Sequence, residues 1–293
     1  MMLHKTPGDK IFDAFNIVLM LLVCGAMLYP FLYVVGSSVM TETERALRPF
    51  ALFPKEINWD GYRYLLNGNS LLYSGYRVTI MRTVIGTVLS VLVEAMFGYA
   101  LSQKKLPFRN WFTFMVALTM WFNGGLIPTF LVVRSVGLYN TFGALILPRL
   151  MMPFNIFIFR SFFSQIPDSL KESAEIDGAN ELEVFWKIIL PLSTAVIATM
   201  ALFHMVAYWN EWFQGLVFVK DDAKRPVQVV LRQILAQAEF AELFPEEAGP
   251  DFQPPTRMMQ MAMIVIVTFP IVAAYPFFQK YFVKGMMVGS IKG

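Results

Sequence analysis

Six long apolar stretches set what this chain can become. They run over roughly residues 12–39, 79–102, 111–133, 141–163, 192–219 and 258–282. A helix rises about 1.5 Å per residue, so roughly 20 apolar residues cross the hydrocarbon core of a bilayer. Hydrophobic residues make up 56% of the 293-residue chain and charged residues only 15%, where a soluble domain carries about a quarter charged. The charges cluster between the apolar runs, the pattern of a multi-pass protein. The sequence therefore predicts an all-α membrane protein with six transmembrane helices, forming one domain over residues 1–293. The fourth run is the least regular, because Pro148 and Pro153 interrupt it beside Arg149. Proline removes a backbone hydrogen bond and kinks a helix.

An even number of crossings puts both termini on one side. The short loop 103–110 carries Lys104, Lys105 and Arg109 and no acid, so the positive-inside rule places it, and with it both termini, in the cytoplasm. The first apolar run is longer than a signal-peptide core and reads as an uncleaved span. Cys24, the single cysteine, excludes an internal disulfide and reads as a small apolar residue of that run. Net charge is +3, too small to point to nucleic acid. Two extracytoplasmic loops have substance. Loop 41–77 is rich in interfacial aromatics (Trp59, Tyr62, Tyr64, Tyr73, Tyr76). Loop 220–257 holds an amphipathic stretch with Val227, Val230, Leu231, Ile234 and Leu235 at helical spacing.

The cytoplasmic loop 164–192 is longer than a connector needs to be. It codes two short helices. Ser169 and Glu172 form an S-x-x-E capping box for the first, Asp168 adds charge at its positive end, and Gly178 supplies a left-handed stop. Asn180 caps the second, answered by Glu183, and Pro191 marks its arrival at the membrane. Ser173 and Ala174 are small. Glu172, Glu175, Asp177, Glu181 and Glu183 make the surface acidic, and Phe185, Ile188 and Ile189 give the second helix an apolar side. From residue chemistry alone two readings stand: a solvated surface helix, or an acidic helix that docks into a partner's groove.

Glu172, Ser173, Ala174, three residues, Gly178, nine residues, Ile188, one residue, Leu190 and Pro191 closely resemble the EAA signature of ABC importer membrane subunits, with serine at 173 where that pattern has alanine. The resemblance implies the type I permease fold. It also implies that this loop is a coupling helix seated in a cleft of a separate ATPase, with Glu172, Ala174, Asp177 and Gly178 at the core of the contact. The tail, QKYFVKG at 279–285 and the last five residues to Gly293, is similar to that of carbohydrate importer permeases of the maltose-subunit type. In some relatives it reaches the ATPase, which assigns Lys284, Gly285, Lys292 and Gly293 to that interface. FNGGLIP at 122–128, GLYNT at 137–141 and YWNEW at 208–212 resemble the subgroup that imports complex oligosaccharides.

Catalytic chemistry has little material. There are two histidines and one cysteine, no metal-ligand spacing and no G-x-x-x-x-G-K-[ST] phosphate loop. No cofactor is expected on this chain; the resemblance puts ATP and Mg²⁺ on the partner ATPase. Ionisable groups within apolar runs point to function by default. Arg82, near the start of its run, reads as snorkelling to the interface. Glu94, deeper, either pairs with a basic residue or faces a polar pathway. His204 reads as a packed polar residue. Tyr208, Trp209, Asn210, Glu211 and Trp212 combine aromatic faces with planar polar groups, as sugar binding requires, though an interfacial belt also explains the tryptophans. Tyr208 and Trp212, four apart, can share a helix face.

The resemblance implies a permease subunit in the bacterial cytoplasmic (inner) membrane, part of an ATP-driven importer for oligosaccharides, with alginate fragments one candidate. Its partners would be a second permease (homologous or identical), an ATPase homodimer or heterodimer, an extracytoplasmic solute-binding protein, the sugar and membrane lipid. The alternative is a secondary transporter driven by an ion gradient, which often shows inverted repeats; none is visible.

Overall fold

The computed structural model describes residues 7–68, 70–243 and 256–290, and among these it is helical without strands. In chain order the α-helices are α1 Pro7–Ser37, α2 Glu42–Leu47, α3 Asp60–Gly68, α4 Ser70–Ser102, α5 Arg109–Trp121, α6 Leu126–Ser135, α7 Pro153–Phe163, α8 Asp168–Ile176, α9 Glu181–Val184, α10 Leu190–Leu192, α11 Thr194–Asn210, α12 Phe213–Phe218, α13 Val227–Leu243 and α14 Arg257–Ser290. Two 3₁₀ turns, Phe142–Leu145 and Leu147–Arg149, precede α7, and a π turn, Phe185–Ile189, joins α9 to α10.

Three described helices are long and apolar enough to span a membrane alone: α1, α4 and the first part of α14. Three bent pairs bring the candidates to as many as six: α5 with α6 at 119°, Phe142–Arg149 with α7 at 55°, and Glu181–Leu192 with α11 at 84°. The run 111–133, expected as one continuous helix, is broken. Asn123 accepts the Gly125 N–H at 2.8 Å, and Gly125 takes φ +83°, a conformation open to glycine at no steric cost. Neither half, 13 and 10 residues long, reaches across about 30 Å of hydrocarbon by itself. The irregularity expected at Pro148 and Pro153 is present as the 55° bend.

The chain divides into two compact units. The first comprises residues 1–69 and 231–268. Within it the most apolar stretch of α1 is wholly exposed, Cys24 included. The segment after α1 is pinned by Ser38 to the Tyr62 hydroxyl at 2.7 Å and by the Asn58 N–H to the Val39 carbonyl at 2.9 Å. Glu42 accepts the Met258 N–H at 3.0 Å, placing a carboxylate at the start of α14, where the helix dipole favours it.

The second unit comprises residues 70–230 and 269–293 and is organised on α4. The buried stripe of this helix is small and polar: Thr79, Thr83, Gly86, Ser90, Glu94, Gly98 and Ser102. Lipid is as apolar as leucine, so helices in membranes associate through close packing of small residues rather than through an oily seam. Gly86 lets the Tyr208 ring lie against the α4 backbone, and Gly98 does the same for α7. Below them Ala95, Tyr99, Phe159, Phe163, Phe185, Ile189 and Met200 form an apolar core shared by α4, α7, α11 and the π turn.

A Cβ at Gly98 would stand 2.5 Å from Phe159 Cβ and 3.0 Å from the Arg160 backbone nitrogen. Gly98→Ala should therefore destabilise the chain by about 1–3 kcal/mol of overpacking, partly offset by about 1 kcal/mol of helix propensity. Gly25→Ala, with nothing within 4 Å, should gain the propensity alone. Thermal melting of the two variants in one detergent checks this; equal melting would show that α4 and α7 can separate freely.

Candidate functional site

The 164–192 loop begins at Pro167, whose fixed φ of −56° starts α8 at Asp168. This corrects the expected capping box. Ser169 lies inside the first turn, and no side chain caps this end, because proline, not serine, occupies the cap position. The other end is as expected. Gly178 has φ +87°, its N–H bonds Glu175 O at 3.0 Å, and the Ala179 N–H bonds Ala174 O at 2.9 Å. That is a Schellman stop. Asn180 and Glu183 complete a capping box for α9, at 3.0 and 3.1 Å.

Two acids of α8 are matched from the neighbouring basic loop. Lys104 pairs with Asp168 at 3.1 Å and Lys105 with Glu175 at 3.6 Å, so loops 103–108 and 164–192 share one end of the bundle. The hydrogen bond from Lys104 holds the Asp168 carboxyl below the usual carboxylate range. What α8 and its stop display outward is Glu172, Ser173, Ile176, Asp177 and Gly178. Ile176 is 85% exposed and was not singled out from the sequence; an isoleucine between two acids at the tip of a stopped helix was the available signal. Ala174 is half-buried and, with Ala179, packs inward against the apolar core. Phe185 and Ile189 are fully inserted there, Ile188 and Leu190 flank it, and Tyr99 donates to Glu181 at 2.7 Å. Pro191 is exposed at the turn into α11. The loop thus presents an acidic and apolar tip on a base rooted in the bundle.

A second polar constellation lies at two interruptions of helix: the bend between Arg149 and Pro153, and the end of α11 before α12. Arg82 is not at the interface: it is 0% exposed and donates to the carbonyls of Tyr208 and Glu211, the latter at 2.7 Å. The snorkelling expectation is overturned because α4 presents Arg82 on its small-residue stripe, and the open end of α11 offers it acceptors. Glu94 accepts the Met152 N–H at 2.7 Å and Asn155 Nδ2 at 3.2 Å, and lies 2.8 Å from His204 Nε2. It caps the start of α7, and its partner is a histidine, not an arginine. Arg149 pairs instead with Glu211 at 2.5 Å, while the other Glu211 oxygen takes the Gln214 N–H at 3.1 Å.

The five residues 208–212 are not brought to one surface. Tyr208 is 1% exposed; its ring packs on Gly86 and its hydroxyl lies 3.0 Å from Ser90 Oγ. Trp209 is buried as well, Glu211 and Trp212 are half-buried, and Asn210 is exposed, continuing a stripe with Phe203 and Val206. Of the tail residues, Lys284 and Gly285 lie in α14, and Lys292 and Gly293 lie outside the described residues. No group of three metal-ligating side chains occurs among the described residues.

Comparison with known proteins fits this architecture. The family model described as "Binding-protein-dependent transport system inner membrane component" matches residues 2–288. Protein LplC of Bacillus subtilis (strain 168) is 43% identical, over 99% of this chain and 98% of that one. The polygalacturonan/rhamnogalacturonan transport system permease protein YtcP of the same organism is 41% identical, over 97% and 99%. A chain in the crystal structure of a bacterial ABC transporter involved in the import of the acidic polysaccharide alginate superposes with a TM-score of 0.85 at 31% identity, covering 96% of this chain and all of that one. Helical spans on a small-residue scaffold, a stopped loop helix at one end and matches along nearly the whole length converge: the chain belongs to the family of binding-protein-dependent transport system inner membrane components, as a sugar ABC importer permease.

Proposed function

We propose that this chain is one of two permease subunits of an ATP-driven importer for acidic oligosaccharides in the bacterial cytoplasmic membrane, with both termini inside. The observation that carries the reading is the loop at 164–192. Its exposed Glu172, Ser173, Ile176, Asp177 and Gly178 form a compact tip, and Phe185 and Ile189 root its base in the core of the spans. Such an element passes a push from outside the membrane to the helices without unfolding. The groove that receives it belongs to a separate ATPase, homodimeric or heterodimeric, which binds ATP and Mg²⁺. Glu172, Asp177 and Ile176 make the contact, and Ser173 and Gly178 allow close approach. Lys284, Gly285, Lys292 and Gly293 add to it from the tail. An extracytoplasmic binding protein delivers the sugar, and the exposed length of α1 meets lipid or the second permease. The acidic substrate class is supported by the names of YtcP and the alginate importer. Asn210, Glu211 and Trp212 are the members of 208–212 with surface to offer the pathway.

The test is uptake in proteoliposomes holding the copurified complex. Entry of labelled oligogalacturonate or oligomannuronate should require ATP inside the inward-facing compartment and stop with a non-hydrolysable analogue. Uptake that runs on an ion gradient without ATPase subunits would establish the secondary-transporter reading instead.

A further inference from the structure

The break between α11 and α12 carries more positive charge than its own acceptors satisfy. Two guanidinium groups, Arg82 and Arg149, meet there with one carboxylate, Glu211. The other nearby carboxylate, Glu94, is wholly buried and already held by Met152, Asn155 and His204. Nε and Nη1 of buried Arg82 have no hydrogen-bond partner. Arg149 differs from Arg82 in being accessible: its side chain is 34% exposed, against 12% for Glu211.

Depth makes that exposure informative. Arg149 stands at the internal bend of the candidate span made by Phe142–Arg149 and Pro153–Phe163, eight residues inside the apolar run 141–163, at the level of the span and not of a flanking loop. A guanidinium face at that depth is not left against hydrocarbon; it meets water or a polar group in a pathway. The single ion pair of Arg149 uses Nη1, and a guanidinium has further N–H groups in a planar fork that fits a carboxylate.

We infer that Arg149 recognises the carboxylate of a uronate ring in transit, exchanging its Glu211 partner for the substrate's acid group. Glu211 is the competitor that keeps the site from holding the sugar too tightly, since a transport site must bind well enough to admit and weakly enough to release. The inference rests on the proposed oligosaccharide pathway and adds the residue and the chemical group that it reads.

The experiment uses the whole transporter in proteoliposomes, with oligogalacturonate and oligomannuronate as probes, each paired with its methyl ester of the same length. Arg149→Gln should raise the half-saturating concentration of the acid probe about tenfold or more, the loss of one charge-assisted contact, and leave the ester within about twofold of the parent. Glu211→Gln keeps an acceptor for the Gln214 N–H and removes the competitor, so it should shift acid uptake the opposite way, to lower concentrations. Equal loss of acid and ester in Arg149→Gln would make the residue a brace or a contact to the second permease and overturn the inference. If Arg149→Gln fails to assemble, the Glu211→Gln arm decides, and an unchanged acid-to-ester preference there overturns it. If the parent complex takes up none of the probes, the oligosaccharide reading fails and this assignment falls with it.

Discussion

Ser173→Trp should leave the chain inserted and folded while sugar-stimulated ATP hydrolysis and uptake fall by at least about thirtyfold, the loss of a contact worth about 2 kcal/mol or more. Ser173 is exposed on the outer face of α8, and its backbone carbonyl accepts the Asp177 N–H at 3.1 Å. A bulky side chain there does not disturb the helix or its stop. It does hold any docking surface several ångströms away from Glu172 and Ile176. Gly178 is the more obvious small residue, but it is a poorer probe. At φ +87° a tryptophan strains the Schellman stop, so lost transport would mix docking with folding. Ser173→Ala, which preserves size, should transport as the parent does. Normal uptake by Ser173→Trp in the assembled complex would remove this face of α8 from the ATPase contact.

Arg82→Ala should be the most destabilising single change in the second unit, at about 3–5 kcal/mol. It strips the Tyr208 and Glu211 carbonyls of their donor, leaves the open end of α11 unsatisfied where water is scarce, and vacates the space of the largest fully buried side chain among the described residues. Arg82→Lys keeps the charge and enough donors for both carbonyls, which share the single Nη2 of Arg82, but its shorter side chain and smaller head fill less of the site, so it should fall between the parent and Arg82→Ala. The check is melting of the purified chain in mild detergent. A shift below about 2 °C for Arg82→Ala, less than roughly 1 kcal/mol for a chain of this size, would mean that the carbonyls find other donors.

How far the sequence reached depended on whether a feature was local. Gly178 and the Asn180–Glu183 box were legible because a left-handed stop and a reciprocal cap are settled within four residues. The bend at Pro148 and Pro153 was legible for the same reason. The sharp bend at Asn123–Gly125 was not: three turn-forming residues hardly dent the apolarity of a 23-residue run. Arg82 was misplaced because its distance along the helix suggested an interface, whereas its angular position decided the matter. Thr79, Thr83, Gly86 and Ser90 mark a small-residue face that includes it, and that spacing was available. The burial of Tyr208 could not have been read locally, since the space for its ring is made by Gly86, more than a hundred residues earlier. Ser169 was outranked by Pro167, which starts the helix two positions sooner than the capping box requires.

Arg82 and Glu94 of α4 reach their partners twelve residues apart, about 18 Å along the axis and about 120° around it. Arg82 grips the end of α11, and Glu94 grips the beginning of α7. A rod clamped at two heights on two sides can neither spin nor slide without breaking one clamp. Turning α4 by a single residue would swing both groups about 100° and strand them in an apolar setting. Helices α4, α7 and α11 therefore travel as a welded frame, and the π turn seated in the same core is its handle. On the proposed coupling, a displacement of the loop tip would reach both breaks through that frame, and the slack for any change of access would have to come from outside it.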